Sequence, residues 1–233
     1  MSRTLTHTLY NARVCPYAQR AVWAFEATNL PYKLVEIDLN NKPAWYVEKI
    51  NPLGKVPALK LGEEDDEKAP ILVESLIISQ YVADLTGRLL PTDALIRAQI
   101  SLFTQRYTDS VVSPFFQYAR TSPGEERTTA KAKLFEGLAY VEELFEEQQT
   151  SSSSKGPYFL GEELSLADIN TATHHARLVL ALAHFHQLRV PGEEKLPRLT
   201  RWFNAIQARP DWQRTYEKPE ALIKALSKFF QDS

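Results

Sequence analysis

Apolar and polar positions switch rhythm several times in the first 86 residues. Residues 7–13, HTLYNAR, read as a short strand. Residues 16–29 place Ala21, Val22, Phe25 and their neighbours on one helical face. Residues 32–38 alternate like a strand, and residues 43–50 form a short helix with an aromatic face. Residues 56–60 and 71–73 are short strands split by the turn GEEDDEKAP, and residues 74–86 are a second long helix. The order β-α-β-α-β-β-α predicts a crossover unit followed by a hairpin. That is a mixed sheet with helices on its faces.

Gly87 and Pro91 then punctuate the chain, and strand signals almost vanish. Residues 94–118, 125–149, 166–183, 197–208 and 219–230 read as helices. The pattern predicts an α/β domain over 1–88, a linker over 89–93 and an all-helical domain over 94–233. In LSLADI, Ser165 and Asp168 occupy the two positions of a capping box. Leu164 and Ile169 occupy those of a hydrophobic staple. This signal concerns folding, and losing the Ser165 cap should cost about 1 kcal/mol.

Composition narrows the function. The 233 residues are 44% hydrophobic, enough for a sizeable core, and the net charge of −2 argues against a general affinity for nucleic acid or anionic membrane. No apolar run approaches the roughly 18–20 residues needed to span a bilayer. The first residues lack the apolar core of a signal peptide. A single cysteine excludes an intrachain disulfide and suits a reducing compartment, so a cytoplasmic protein is expected. Four of the five histidines lie between His174 and His186 without a metal-ligand spacing, and no metal is expected.

The lone cysteine carries the chemistry. Cys15 stands just before Pro16 and a helix, over backbone N–H groups that lack intrahelical partners. That environment favours thiolate, the reactive form. The bland alternative is an inert buried thiol. Cys-Pro-Tyr after a first strand is also the active-site arrangement of thioredoxin-like folds, with Ala18 where a second cysteine would stand. One chain therefore has no dithiol mechanism, and a resolving thiol must come from outside it.

Three further stretches accompany VCPYAQR, namely NNKPAW, NPLGKVPAL and VES. Together, and in this order, they resemble the glutathione transferase family, and specifically its cysteine-bearing omega class. The resemblance covers the whole chain. It implies the glutathione transferase fold, a thioredoxin-like domain followed by a helical one, with glutathione as cosubstrate and a homodimeric assembly. It makes Cys15 catalytic and assigns glutathione binding to Tyr17, Lys42, Val56, Pro57, Glu74 and Ser75. Val56-Pro57 resembles the family's cis-proline corner, whose backbone pairs with the cysteinyl part of glutathione like an added strand. Ser75 and its helix N-terminus suit the γ-glutamyl carboxylate, and Glu74 suits the ammonium beside it. Lys42 matches the lysine that meets the glycyl carboxylate. Tyr17 departs from the phenylalanine common in the omega class, and the spacing carries an extra residue around 48–51.

A hydrophobic or glutathionylated second substrate is expected between the domains, with Tyr107, Phe115 and Arg177 as candidate walls. Aromatic side chains at helical spacing are more often core. The reaction implied is glutathione-dependent thiol transfer or reduction, through a Cys15–glutathione mixed disulfide. Deglutathionylation, dehydroascorbate reduction and glutathionyl-ketone reduction are its forms. The alternatives are a glutathionyl-hydroquinone reductase-like enzyme and a non-catalytic binder of apolar small molecules.

Overall fold

The pleat of β1 (His7–Asn11) sends successive side chains to opposite faces of a sheet, and all five are buried. His7 reaches the rings of Phe25 and Tyr81 on one face, while Tyr10 meets Trp45 and Tyr46 on the other. In this computed structural model, which describes residues 6–63, 65–151 and 155–230, the next elements are α1 (Pro16–Thr28), β2 (Lys33–Glu36), α2 (Ala44–Lys49), β3 (Ala58–Leu61), β4 (Ile71–Val73) and α3 (Ser75–Thr86). The sheet order is β2-β1-β3-β4. The crossover through α1 makes β1 and β2 parallel, with Tyr10 beside Val35. β3 runs antiparallel to both β1 and β4, with Ala58 between Tyr10 and Val73. This is the thioredoxin-like arrangement expected from the sequence.

The rest of the chain is helical: α4 (Ala94–Tyr107), a π turn (Thr108–Val112), α5 (Ser113–Arg120), α6 (Glu125–Ser151), α7 (Leu166–His186), α8 (Pro197–Gln207), α9 (Pro210–Thr215), α10 (Pro219–Leu226) and a closing 3₁₀ turn (Ser227–Phe229). The predicted helix over 94–118 is thus a continuous helical path widened by one π turn. Its cause is local. Pro114 has no N–H for the carbonyl of Ser110, four residues earlier, and its ring crowds that oxygen. The Ser110 carbonyl lies against Gly137 of α6, where any Cβ would collide with it.

The chain divides into two compact units, Met1–Leu90 with Asp211–Tyr216, and Pro91–Pro210 with Glu217–Ser233. The short segment around α9 therefore completes the first unit. Trp212 packs edge-on against the buried Trp23 at 4.9 Å between ring centres, and the Trp23 indole donates to Asp211 Oδ1 at 3.2 Å. Gln19 donates to Thr215 Oγ1 at 3.2 Å, and Arg214 pairs with Glu26 at 2.9 Å.

In the second unit the capping box is formed as the sequence indicates. The fully buried Asp168 carboxylate accepts from Ser165 N at 2.8 Å and from Ser165 Oγ, Phe159 N and Trp202 Nε1 at 2.9 Å each. Burial pushes its carboxyl pKa up, and those four donors oppose the shift. Close by, the buried His175 ring meets Tyr107 Oη at 2.9 Å and packs against Trp202 and Phe203.

Candidate active site

Cys15 is the N-cap of α1, in extended conformation, with Pro16 in the first helical position. Its N–H donates to Ala12 O at 2.9 Å, and its carbonyl accepts from Gln19 N at 3.0 Å. The sulfur thus stands over the first turn of a 13-residue helix, at the positive end of its dipole. The side chain is partly buried and packs on a cluster that includes Tyr10, Ala18, Tyr46 and Val56. Ala18 is fully buried beneath it. The Cys15 Sγ–Val56 O distance is 4.0 Å.

Val56 is presented by a tightly held loop. The Val56–Pro57 peptide is cis. The preceding carbonyl, that of Lys55, accepts two hydrogen bonds, from Tyr46 Oη at 2.6 Å and from Asn51 Nδ2 at 2.8 Å. Asn51 also takes the N–H of Leu53 on its side-chain oxygen, while its carbonyl takes that of Gly54. Burial, and then the neighbouring Tyr10, push the Tyr46 phenol pKa up to about 12, so it remains a donor. Gly54 has φ +62°, and a Cβ there would lie 3.3 Å from Cδ of Lys42. The exposed Lys42 is therefore laid along the same loop, over the one residue that leaves it room.

On the far side of β4, Ser75 opens α3 and is buried, and the exposed Glu74 precedes it. Glu74 sits at φ 69°, a left-handed conformation costly for a residue with a side chain. Ser75 is tied to the cysteine helix by Arg20. The Arg20 guanidinium donates from Nη1 to Ser75 Oγ at 3.3 Å and lies 5.2 Å from the centre of the Tyr17 ring. Sequence reading missed Arg20, Tyr46 and Asn51 as parts of this arrangement. Arg20 had left one sign, a cation one turn beyond the cysteine on a mostly apolar helix.

The structure brings Cys15 to Val56 and joins Tyr17 to Ser75 through Arg20, with Lys42 on the Gly54 loop. Tyr107, Phe115 and Arg177 are placed differently. All three are interior side chains of the helical unit, with little surface to offer a ligand. Tyr107 is engaged with His175, Phe115 with Phe116 and Phe230, and Arg177 donates to Thr173 O at 3.4 Å. Their helical spacing marked packing. Among the described residues no three His, Cys, Asp or Glu side chains converge into a metal site.

Known proteins share this fold. Residues 9–88 match the glutathione S-transferase N-terminal domain and residues 116–205 the glutathione S-transferase C-terminal domain. The chain is 29% identical to glutathione S-transferase L3 of Arabidopsis thaliana, over 97% of its own length and 88% of that protein's. Among solved structures it is similar to glutathione transferase Omega 1C of Trametes versicolor, with a TM-score of 0.81, 28% identity and 98% of each chain covered. It is also similar to the dehydroascorbate reductase of Chlamydomonas reinhardtii, with a TM-score of 0.75, 26% identity and coverage of 96% of this chain and 98% of the other. Both domain matches and both halves of the fold agree, and the chain belongs to the glutathione S-transferase family.

Proposed function

We propose that the chain is an omega-like glutathione transferase that performs glutathione-dependent thiol transfer through Cys15. The observation that carries this reading is the sulfur itself, the chain's single cysteine, at the N-cap of α1 beside the Val56 carbonyl. A tyrosine or serine in that place could only activate the thiol of glutathione. A cysteine can form a bond to it.

In the proposed cycle the Cys15 thiolate attacks the glutathionyl sulfur of a mixed disulfide. A Cys15–glutathione disulfide forms, and the substrate leaves as its thiolate. A second glutathione thiolate then attacks the glutathionyl sulfur of that disulfide. Oxidised glutathione departs and the Cys15 thiolate returns. With Ala18 in the resolving position the second step draws its thiol from solution. Glutathione would lie with its cysteinyl backbone along Val56 and Pro57, its γ-glutamyl end at Glu74 and Ser75, and its glycyl carboxylate toward Lys42. Glutathionylated thiols are the substrates of this cycle, and similarity to a dehydroascorbate reductase supports dehydroascorbate as another. A homodimer is part of this reading. Leu76, Ile77 and Leu85 of α3 are exposed apolar side chains that would suit it.

Intact mass after incubation with oxidised glutathione tests the proposal. The wild-type chain should gain one glutathionyl unit and the Cys15→Ser chain none. Thiol-transferase activity that survives Cys15→Ser would overturn it.

A further inference from the structure

The Arg20–Ser75 contact has a chemical direction. A serine hydroxyl carries one proton and two lone pairs. Arg20 can only donate, and its Nη1 takes up a lone pair of Ser75 Oγ at 3.3 Å. Ser75 makes no other side-chain hydrogen bond among the described residues. Its proton therefore remains unspent on a residue that is only 5% exposed. It lies at the first turn of the twelve-residue α3, among backbone N–H groups that also lack intrahelical acceptors. A buried donor without an acceptor is costly, and an arriving anion removes that cost. Arg20 itself is 4% exposed and held on its other side by the Tyr17 ring, two residues from the sulfur.

We propose that Arg20 is a positioning residue that turns the Ser75 hydroxyl outward as a donor. The chain would thereby select thiol peptides that carry an α-carboxylate at the γ-glutamyl end. The inference rests on placing that end of glutathione at Ser75. Arg20 contributes twice in this arrangement. It fixes the direction of the Ser75 proton, and it adds a positive charge behind the start of α3. It also ties carboxylate recognition to the helix that presents Cys15, because one guanidinium touches both Tyr17 and Ser75.

Calorimetric binding on a Cys15→Ser background, which avoids mixed-disulfide formation, tests the inference with two ligands. One is glutathione. The other replaces its γ-glutamyl group with 4-aminobutanoyl, which removes only the α-carboxylate. Arg20→Gln should weaken glutathione about 10-fold while changing the analogue by less than about 2-fold. Arg20→Lys, which keeps charge and a donor, should recover part of the loss. In a Ser75→Ala chain, Arg20→Gln should add much less to the loss than it causes alone. Equal weakening of both ligands would make Arg20 merely structural, and unchanged glutathione affinity would remove its role altogether; either result overturns the inference. Should Arg20→Gln not fold, the comparison passes to Arg20→Lys, whose smaller loss must still be confined to glutathione. Failure of both the wild-type and Cys15→Ser chains to bind glutathione would instead overturn the glutathione reading itself.

Discussion

The sulfur of Cys15 stands 4.0 Å from the carbonyl oxygen of Val56, joining a helix start to a loop 41 residues further along the chain. A thiol placed there is also in reach of any peptide that pairs with the Val56 backbone as an added strand. In the proposed cycle, position and reactivity would therefore come from two different elements. α1 would supply the electrostatics, and the 51–57 loop the docking edge.

Replacing the sulfur should separate binding from chemistry. Cys15→Ser is expected to lower thiol-transferase turnover about 1000-fold or more. Glutathione affinity measured by calorimetry should change far less, because the docking edge is untouched.

Loosening the loop should do the opposite. Tyr46→Phe removes one of the two donors on the Lys55 carbonyl and should cost about 1 kcal/mol of stability. Asn51→Ala removes the other. We expect each to raise KM for glutathione more than it lowers kcat. The pair should be non-additive, because the two donors share one acceptor. Steady-state kinetics over a glutathione series, with chemical denaturation of the four chains, would check this.

Gly137→Ala places a methyl group against the Ser110 carbonyl. Neither the α6 backbone nor the π turn can yield cheaply, and about 1–3 kcal/mol of destabilisation is expected. Urea denaturation would measure it. A variant as stable as wild type would show that the π turn can move away from α6.

Stability should fall on mild acidification. Burial holds the His175 pKa down at about 3, whereas the unfolded chain titrates it near 6.5. Between those values the unfolded state binds the extra proton, so the contribution is complete above pH 6.5. It shrinks by up to about 1.4 kcal/mol for each pH step below. His186, lowered to about 4 by burial and then by Arg127 and Lys131, acts in the same sense. Denaturation curves between pH 7 and 5 should show a shallower slope in His175→Gln than in wild type.

Much of the fold was legible because its signals are local. The stretch HTLYNAR marks β1, Pro16 marks the start of α1, and in the second unit the Ser165–Asp168 spacing marks the start of α7. The motif around Val56-Pro57 was legible as well, since its turn residues are fixed by sequence. Arg20 was not, because a cation reads as surface until α3 covers it. Tyr46 and Asn51 read as an aromatic helix face and a turn residue, and their shared acceptor emerges only once the loop closes. Tyr107, Phe115 and Arg177 show the reverse case. Large side chains at helical spacing look the same in sequence whether they line a cavity or fill an interior. The six residues of α9 are too few to show a helical period.

α9 also sets an order of events during synthesis. The ring that closes over Trp23 belongs to Trp212, far beyond α1 in the chain. A ribosome that has delivered Met1–Leu90 has released all four strands of the sheet, but not the segment that seals α1. At roughly 5–20 residues per second the nascent unit waits for seconds with that indole uncovered. The first unit reaches its final packing only once synthesis has passed Tyr216.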